Sequence, residues 1–415
     1  MYNVLCMKSA SRRAIGAFTL IELLIVMAIL SVLSVVVVFV INPPELLRQG
    51  RDATRLSAIE TLNKSIGFYQ VDVPAGSLGT ALTTYVSIAD FAATTPAGTD
   101  CTGVGLPPLP SLWSYHCPHP SNVKKIDGTG WLPLNFIGVN GRPNTLPIDP
   151  INTTSSGLYY AYVPGGRVWA FTAPLESKKY LRSTAQKDGG VDDARFEAGA
   201  DVSLWSSALG LMGLWRLDEG SGTGAADQSG NTNIGILTNG PTWASGKVGG
   251  AINLDGVDDY VDIPNSASLN LTTAITVNAW VYVTGGGARR TIATKSGTWT
   301  TGTGFWFMIE DNVVYFDMRS STHDVSYDAG AGLYNDWHNI VATYDEATDQ
   351  AKLYLDGDLK TTATVVNVLN GNSNNVWIGR RGDLAEYYGG RIDDVRIYSR
   401  ALSAAEIQAI YGAMK

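Results

Sequence analysis

The sequence predicts two modules in series: an α+β module, made of a long N-terminal helix and a small β head, followed by an all-β sandwich of the jelly-roll type. Three observations predict it. An apolar run from Phe18 to Ile41 leads into a stretch with helical periodicity. From about Leu211 the chain breaks into short alternating runs separated by turn signals. The composition, with 45 Gly, 19 Tyr and 11 Trp in 415 residues, suits a turn-rich β protein. A chain of this length has room for two cores. Its 30 Lys and Arg against 38 Asp and Glu leave a net charge of −8, the wrong sign for a nucleic-acid footprint, so no nucleic-acid partner is expected.

Residues 1–17 carry Lys8, Arg12 and Arg13 and no acid. From Phe18 to Ile41 every residue is apolar or small except Glu22. As a helix, 18–41 would reach about 36 Å, enough to span a bilayer once. A secretory signal has a shorter apolar stretch and a small-residue cleavage site, whereas this run ends in Asn42-Pro43-Pro44-Glu45. Basic residues before the run place that end in the cytoplasm and everything after it outside. A carboxylate inside an apolar run is a functional signal, because lipid penalises it. The alternative is a plain membrane anchor with a stray glutamate.

The segment from Gly16 to Leu24 resembles the processing site of type IV prepilins and of type II secretion pseudopilins. The resemblance implies that a prepilin peptidase cuts before Phe18 and methylates the new amine, and that Glu22 pairs with the N-terminus of a neighbouring pilin or pseudopilin subunit. The family has Gly directly before the Phe. Here Ala17 intervenes and Gly16 sits one position earlier, so cleavage after Ala17 competes with cleavage after Gly16.

Over 42–70, Leu46, Leu47, Ala53, Leu56, Ile59, Leu62, Ile66 and Tyr69 recur at helical spacing, and Arg48, Arg51, Asp52, Arg55, Glu60 and Lys64 supply the polar face. An amphipathic stem is expected, with the Pro pair marking a break. Residues 71–207 form the head, with β runs at Leu158–Val163 and Val168–Thr172. Loss of a leader containing Cys6 leaves Cys101 and Cys117, which either form a disulfide in an oxidising compartment or remain two buried thiols. The stretch Leu146–Pro150 followed by Tyr159-Tyr160 is similar to a loop of major-pseudopilin heads. Asp188-Gly189-Gly190 and Gly199-Ala200-Asp201 resemble the calcium loop of those heads, so Asp188, Asp192, Asp193 and Asp201 are candidate Ca2+ ligands, or else solvated turns.

Residues 208–415 carry strand candidates at Tyr260–Ile263, Ile275–Val283, Phe305–Ile309, Val313–Met318, His338–Tyr344, Lys352–Leu355, Thr362–Val366, Val376–Ile378 and Arg391–Tyr398. Asp311-Asn312 and Asp356-Gly357 are turn signals, and Ser403-Ala404-Ala405-Glu406 is a capping box opening a helix to Tyr411. Segments 213–243, 252–266 and 392–411 resemble, in order, the opening, second signature and closing strand and helix of laminin-G-like, concanavalin A-like lectin and glucanase domains. The resemblance implies a calcium on the sandwich rim, for which Asp394 is the first candidate and Asp218 and Asp258 the next; Asp393 and Asp394 capping a strand turn is the alternative.

No catalytic residues are assigned. A glycosidase needs two carboxylates across the bond, and Glu219, Glu310, Glu346, Glu386 and Glu406 form no such run. Trp299, Arg380, Tyr387 and Tyr388 lie in loops suited to a glycan or protein ligand. Trp215, Trp280, Trp337 and Trp377, set among apolar residues, are assigned to the core. The function expected is a pilin-like subunit at the bacterial inner membrane, or on the pilus or cell surface after assembly, displaying an adhesive sandwich. A secretion pseudopilin using the sandwich to recognise substrates is the alternative, and a membrane-anchored glycoside hydrolase a third reading.

Overall fold

The structure is a computed structural model that describes residues 19–94, 98, 99, 101–284, 289–296, 303–318, 323–366, 369–382 and 386–415, with backbone alone over 32–41. Residues 1–48 and 49–415 form two compact units. Helix α1 runs Leu20–Ile41 and α2 runs Pro43–Asp72. Asn42 separates them at φ 47, a left-handed conformation that Asn tolerates, and Pro43 opens α2 where a missing N–H costs nothing. Among the described residues no helix is long and apolar enough to cross a membrane.

The head is a five-stranded sheet of β1 (Thr83–Val86), β2 (Ser114–His116), β3 (Ala161–Gly165), β4 (Val168–Pro174) and β5 (Arg195–Gly199), in the order β2-β1-β3-β4-β5. Period-2 alternation gives it two buried faces. Tyr162 and Phe171 face α2 and pack with Ile59, Leu62, Ile66 and Tyr69. Ala161, Val163 and Ala170 face the other way, into a second core. Short helix α3 (Lys178–Ser183) lies between β4 and β5, and α4 (Ser203–Leu209) follows β5 and ends on Gly210 at φ 71.

The polar face expected for α2 is not solvated throughout. Asp52 and Arg55 are both fully buried. Arg55 donates from Nε and Nη2 to Asp149 at 2.6 and 3.0 Å, and from Nη1 to Asp52 at 2.9 Å and Glu176 at 2.5 Å. The loop holding Asp149 is the one that resembles pseudopilin heads. A helical wheel read these charges as solvent-facing because it cannot see partners 94 residues away in sequence. Cys101 and Cys117 are joined by a disulfide, with Cα atoms 5.3 Å apart.

The sandwich has two antiparallel sheets. The first orders β19 (Asp358–Thr364), β18 (Gln350–Leu355), β17 (Trp337–Asp345), β12 (Ala274–Val283), β21 (Gly389–Tyr398), β10 (Gly250–Asp255) and β9 (Thr242–Ser245), with β6 (Leu211–Trp215) also on β21. The second orders β16 (Val325–Asp328), β15 (Val313–Asp317), β14 (Trp306–Glu310), β13 (Arg289–Thr294), β20 (Val376–Ile378), β11 (Tyr260–Ile263), β8 (Gly235–Thr238) and β7 (Gly224–Ala225). Ile275, Val277, Ala279 and Val281 of β12 join Val261, Ile263, Phe307 and Ile378 in the core between the sheets. This is the architecture the sequence predicts.

Two departures from the expected strands are instructive. Sequence reading did not find β6–β10, β13 and β16: most are short, Gly-containing or edge pieces, whereas β13 has no glycine and lies inside the second sheet. It also began β19 too late. Asp356 and Gly357, at φ 54 and 81, form a two-residue turn that pairs Leu355 with Asp358, so the strand starts directly after it.

The outer face of the first sheet is covered. Helix α5 (Ala404–Met414) is opened by the expected capping box, with Ser403 Oγ accepting from Glu406 N at 3.3 Å and Glu406 Oε2 from Ser403 N at 2.9 Å. Trp280 stacks on Tyr411 of α5 with centroids 5.7 Å apart. Ile407, Ile410 and Met414 of α5 pack in one core with Trp280, Val341 and Tyr398 of the sheet and with Val163, Ala170 and Trp205 of the head. At this junction Asp193 of the head binds Arg216 at 2.9 Å and Arg396 at 2.5 Å.

Candidate functional site

With the first sheet covered, the outer face of the second sheet is the one turned away from the head. On β11, Val261 and Ile263 point into the core, so Tyr260 and Asp262 point out. On β20, Val376 and Ile378 point in and Trp377 points out. The register places Asp262 opposite Trp377, and Tyr260 opposite Thr238. Gly379, at φ 87, then turns the chain so that Arg380 falls back over this face. Its guanidinium lies 4.7 Å from the Tyr260 ring centroid and 5.8 Å from that of Trp377. Arg380 bridges to Tyr387, whose ring sits 6.5 Å from Tyr260 at 37°.

The result is a partly exposed platform, Tyr387–Tyr260–Arg380–Trp377, held by cation–π contacts. Arg380 Nε is buried and has no hydrogen-bond partner. Polar groups border the platform. Asn375 Nδ2 donates to Asp262 Oδ1 at 2.8 Å. Lys295 donates to Asn265 Oδ1 at 2.7 Å and to Asn374 O at 2.6 Å, and burial lowers its pKa to about 8. Flat aromatic faces beside amide, carboxylate and guanidinium groups suit a ring-shaped polar ligand, which stacks its apolar face and hydrogen-bonds its edge.

Of the predicted contact residues, Arg380 and Tyr387 lie in this platform. Trp299 lies outside the described residues. Tyr388 is corrected: it is fully buried, because successive residues of an extended chain point to opposite sides, and burial raises its pKa. Tyr260, Asp262 and Trp377 were missed as contacts. The Tyr-Val-Asp-Ile and Val-Trp-Ile alternations carried the signal. Trp215 and Trp280 are core as expected, whereas Trp337 is only partly buried and Trp377 faces outward.

The predicted calcium ligands do not assemble into a shell. Both oxygens of Asp394 accept from Arg396, at 2.7 and 3.0 Å. Asp218 accepts from Gly250 N at 2.5 Å. Asp188 accepts from Gly190 N at 2.9 Å and Glu197 N at 2.8 Å, and burial raises its pKa to about 6. Asp192 accepts from Ala194 N at 3.1 Å, Asp193 holds two arginines, and Asp201 accepts from Ser203 at the start of α4. Among the described residues the one acidic trio with ligand atoms within 4.8 Å of one another is Asp255, Asp258 and Asp259. Asp258 is the only predicted ligand in it. Most of the predicted carboxylates accept from N–H groups or guanidinia, whereas Asp258 is exposed and stands in the one trio whose oxygens lie close enough to share a cation.

Gly16, Ala17 and Phe18 lie outside the described residues. Glu22 stands in the first turn of α1 and accepts from Thr19 N at 2.9 Å and Thr19 Oγ1 at 2.8 Å, while Thr19 Oγ1 accepts from Glu22 N at 3.3 Å. This is a capping box. Glu310 and Glu386 hold Arg289 at 2.9 and 3.6 Å, and Glu406 holds Arg400 at 2.6 Å.

Comparison with known proteins returns two family matches. The concanavalin A-like lectin/glucanases superfamily matches residues 255–408, and the prokaryotic N-terminal methylation motif matches residues 12–38. Among solved structures, domain 4 of AbnA, a GH43 extracellular arabinanase from Geobacillus stearothermophilus solved with arabinotriose, aligns at 19% identity and a TM-score of 0.40, covering 49% of this chain and 98% of that one. The binding domain of Paraclostridial Mosquitocidal Protein 1 aligns at 17% identity and TM-score 0.40, over 49% of this chain and 52% of that one. The botulinum neurotoxin serotype G binding domain aligns at 16% and 0.42, over 49% and 50%. The chain thus spans about half the length of these two binding-domain chains. No match is found among curated proteins.

Proposed function

We propose that this chain, which carries a prokaryotic N-terminal methylation motif at one end and a concanavalin A-like domain at the other, is a pilin-like subunit that displays its sandwich to bind carbohydrate. A prepilin peptidase cuts before Phe18 and methylates it. The apolar segment 18–41 then sits in the inner membrane and assembles with other pilin or pseudopilin subunits, with Glu22 serving the assembly. The rest of the chain lies outside the cytoplasm and acts by binding rather than by catalysis.

The observation that carries the adhesive half is the platform of Tyr260, Trp377, Arg380 and Tyr387 on the sheet face turned away from the head. One preparation tests both halves. The full chain is taken from membranes with and without the peptidase, weighed intact and applied to a glycan array. The expected outcome is peptidase-dependent loss of residues 1–17, a methylated Phe18, and glycan binding that falls at least about tenfold in Tyr260→Ala and Trp377→Ala. An uncut chain ends the pilin reading. Glycan binding that survives both substitutions moves the site off this face, and capture of proteins with no glycan signal makes the ligand a protein.

A secretion pseudopilin is the second reading, favoured by the Leu146–Pro150 loop whose Asp149 is clamped to α2 by Arg55. A fibre on the cell surface distinguishes the first reading from the second.

A further inference from the structure

Arg380 of the platform differs from the other arginines of the sandwich. Among the described residues, Arg216, Arg289, Arg381, Arg396 and Arg400 each hold a carboxylate, and Arg290 and Arg391 donate to backbone carbonyls. Arg380 does neither. Its Nε is buried without a partner, and its two terminal nitrogens, also without one among the described residues, are open to solvent. What holds the guanidinium is a pair of rings, Tyr260 at 4.7 Å and Trp377 at 5.8 Å. A planar cation held by its face keeps its edge free. That edge is the fork that meets a carboxylate with two parallel N–H bonds.

The platform also has a direction. Side chains two apart on a strand share a face and lie about 6.8 Å from each other, so Tyr260 marks one end on β11 and Asp262 the other. Arg380 lies nearer Tyr260. At the Asp262 end the groups are a carboxylate and amides. Asn375 Nδ2 donates to Asp262 Oδ1 at 2.8 Å, and Asn375 Oδ1 accepts from Asn265 N at 3.0 Å. Such groups exchange hydrogen bonds with hydroxyls, and Asp262 repels a second anion.

The surroundings limit how much negative charge can approach. Asp255 and Asp258 are exposed in the turn that leads into Tyr260, and the whole chain carries −8. A densely charged polyanion would meet these acids along its length. A ring with one carboxylate on one edge and hydroxyls on the other meets Arg380 with the first and Asp262 and Asn375 with the second.

We propose that the platform selects a sugar ring bearing a single carboxylate, a uronate or a sialic acid, with Arg380 as the fork that holds it. The aromatic rings beside Arg380 take the apolar face of the sugar. This selectivity rests on carbohydrate binding at the same face and narrows it to acidic sugars.

The full chain in detergent is applied to an array of uronate and sialylated oligosaccharides, each beside the same glycan with its carboxyls reduced to alcohols. The acid form of one set should bind at least about tenfold more tightly than its reduced partner, the worth of a charge-assisted hydrogen bond. The set that responds tells a uronate from a sialic acid. In Arg380→Gln the preference should fall below about twofold. Arg380→Lys keeps the charge over the rings and loses the planar fork, and should retain part of the preference. Equal binding of acid and reduced glycans, lost in Tyr260→Ala, would overturn the selection for a carboxylate and leave the carbohydrate site standing. A preference undiminished in Arg380→Gln would overturn it as well. Binding to no glycan at all would end both readings.

Discussion

Asp393 sits beside Asp394 in the middle of β21 with its two oxygens in different circumstances. Oδ2 accepts from Lys247 N at 2.8 Å and Val248 N at 3.2 Å, while Oδ1 is buried with no partner. Burial first, then the neighbouring charges of Asp394 and Asp218, push its pKa up to about 8, against the pull of the two N–H groups. From about pH 4 to about 8 the folded state therefore keeps a proton that the unfolded chain has lost. This contribution to stability is complete below pH 4 and fades as pH rises through 8. Asp393→Asn keeps an acceptor for the two N–H groups and cannot ionise. Urea denaturation at pH 5 and pH 8 should show the wild type losing more stability than the variant across that interval; equal losses would remove Asp393 from the account. The family resemblance marked the neighbouring Asp394 as a calcium ligand, and it is Asp394 whose two oxygens Arg396 holds.

At the scale of elements, what the sequence showed depended on whether the signal was local. The Ser403–Glu406 box, the Asp311-Asn312 and Asp356-Gly357 turns and the alternation of β11, β17 and β21 are encoded within a few residues, and each was readable. The strands that escaped notice are stabilised by neighbours. β8 is Gly-Ile-Leu-Thr, paired on both sides by β7 and β11. β13 opens with Arg289 and Arg290, which read as a loop until Glu310 and Glu386 appear beside Arg289. The buried Asp52 and Arg55 on α2 illustrate the same limit, since their partners Asp149 and Glu176 lie far along the chain. The candidate site was half legible. Arg380 and Tyr387 drew notice as loop residues, whereas Trp377 was assigned to the core because apolar neighbours surround it in sequence, although only alternate ones share its face.

For the molecule from Gln49 to Lys415, the shared core joins head and sandwich in one compact body. Head strands, the first sheet and α5 all contribute to it, and the Asp193–Arg396 pair sits at its edge with both side chains at most 2% exposed. Ile410→Ala on α5 should cost roughly 2–5 kcal/mol as a large-to-small change in this core. Its signature is more specific than its size. Hydrogen exchange should quicken together in β3 of the head and β12 of the sandwich, and a change limited to β12 would show that the two parts open independently.

That shared core also has a consequence in time. Chains are made N-terminal end first, and domains generally fold in that order. Here part of the core that the head shares comes from Ile407, Ile410 and Met414, more than two hundred residues downstream of β3. Contacts of such long sequence separation are slow to form. Until α5 arrives that shared core is incomplete: α4 already packs on β3 and β4, but the side that α5 supplies is missing. Completion of the fold is therefore tied to completion of the chain: one stalled before residue 404 would lack the part of the shared core that α5 supplies.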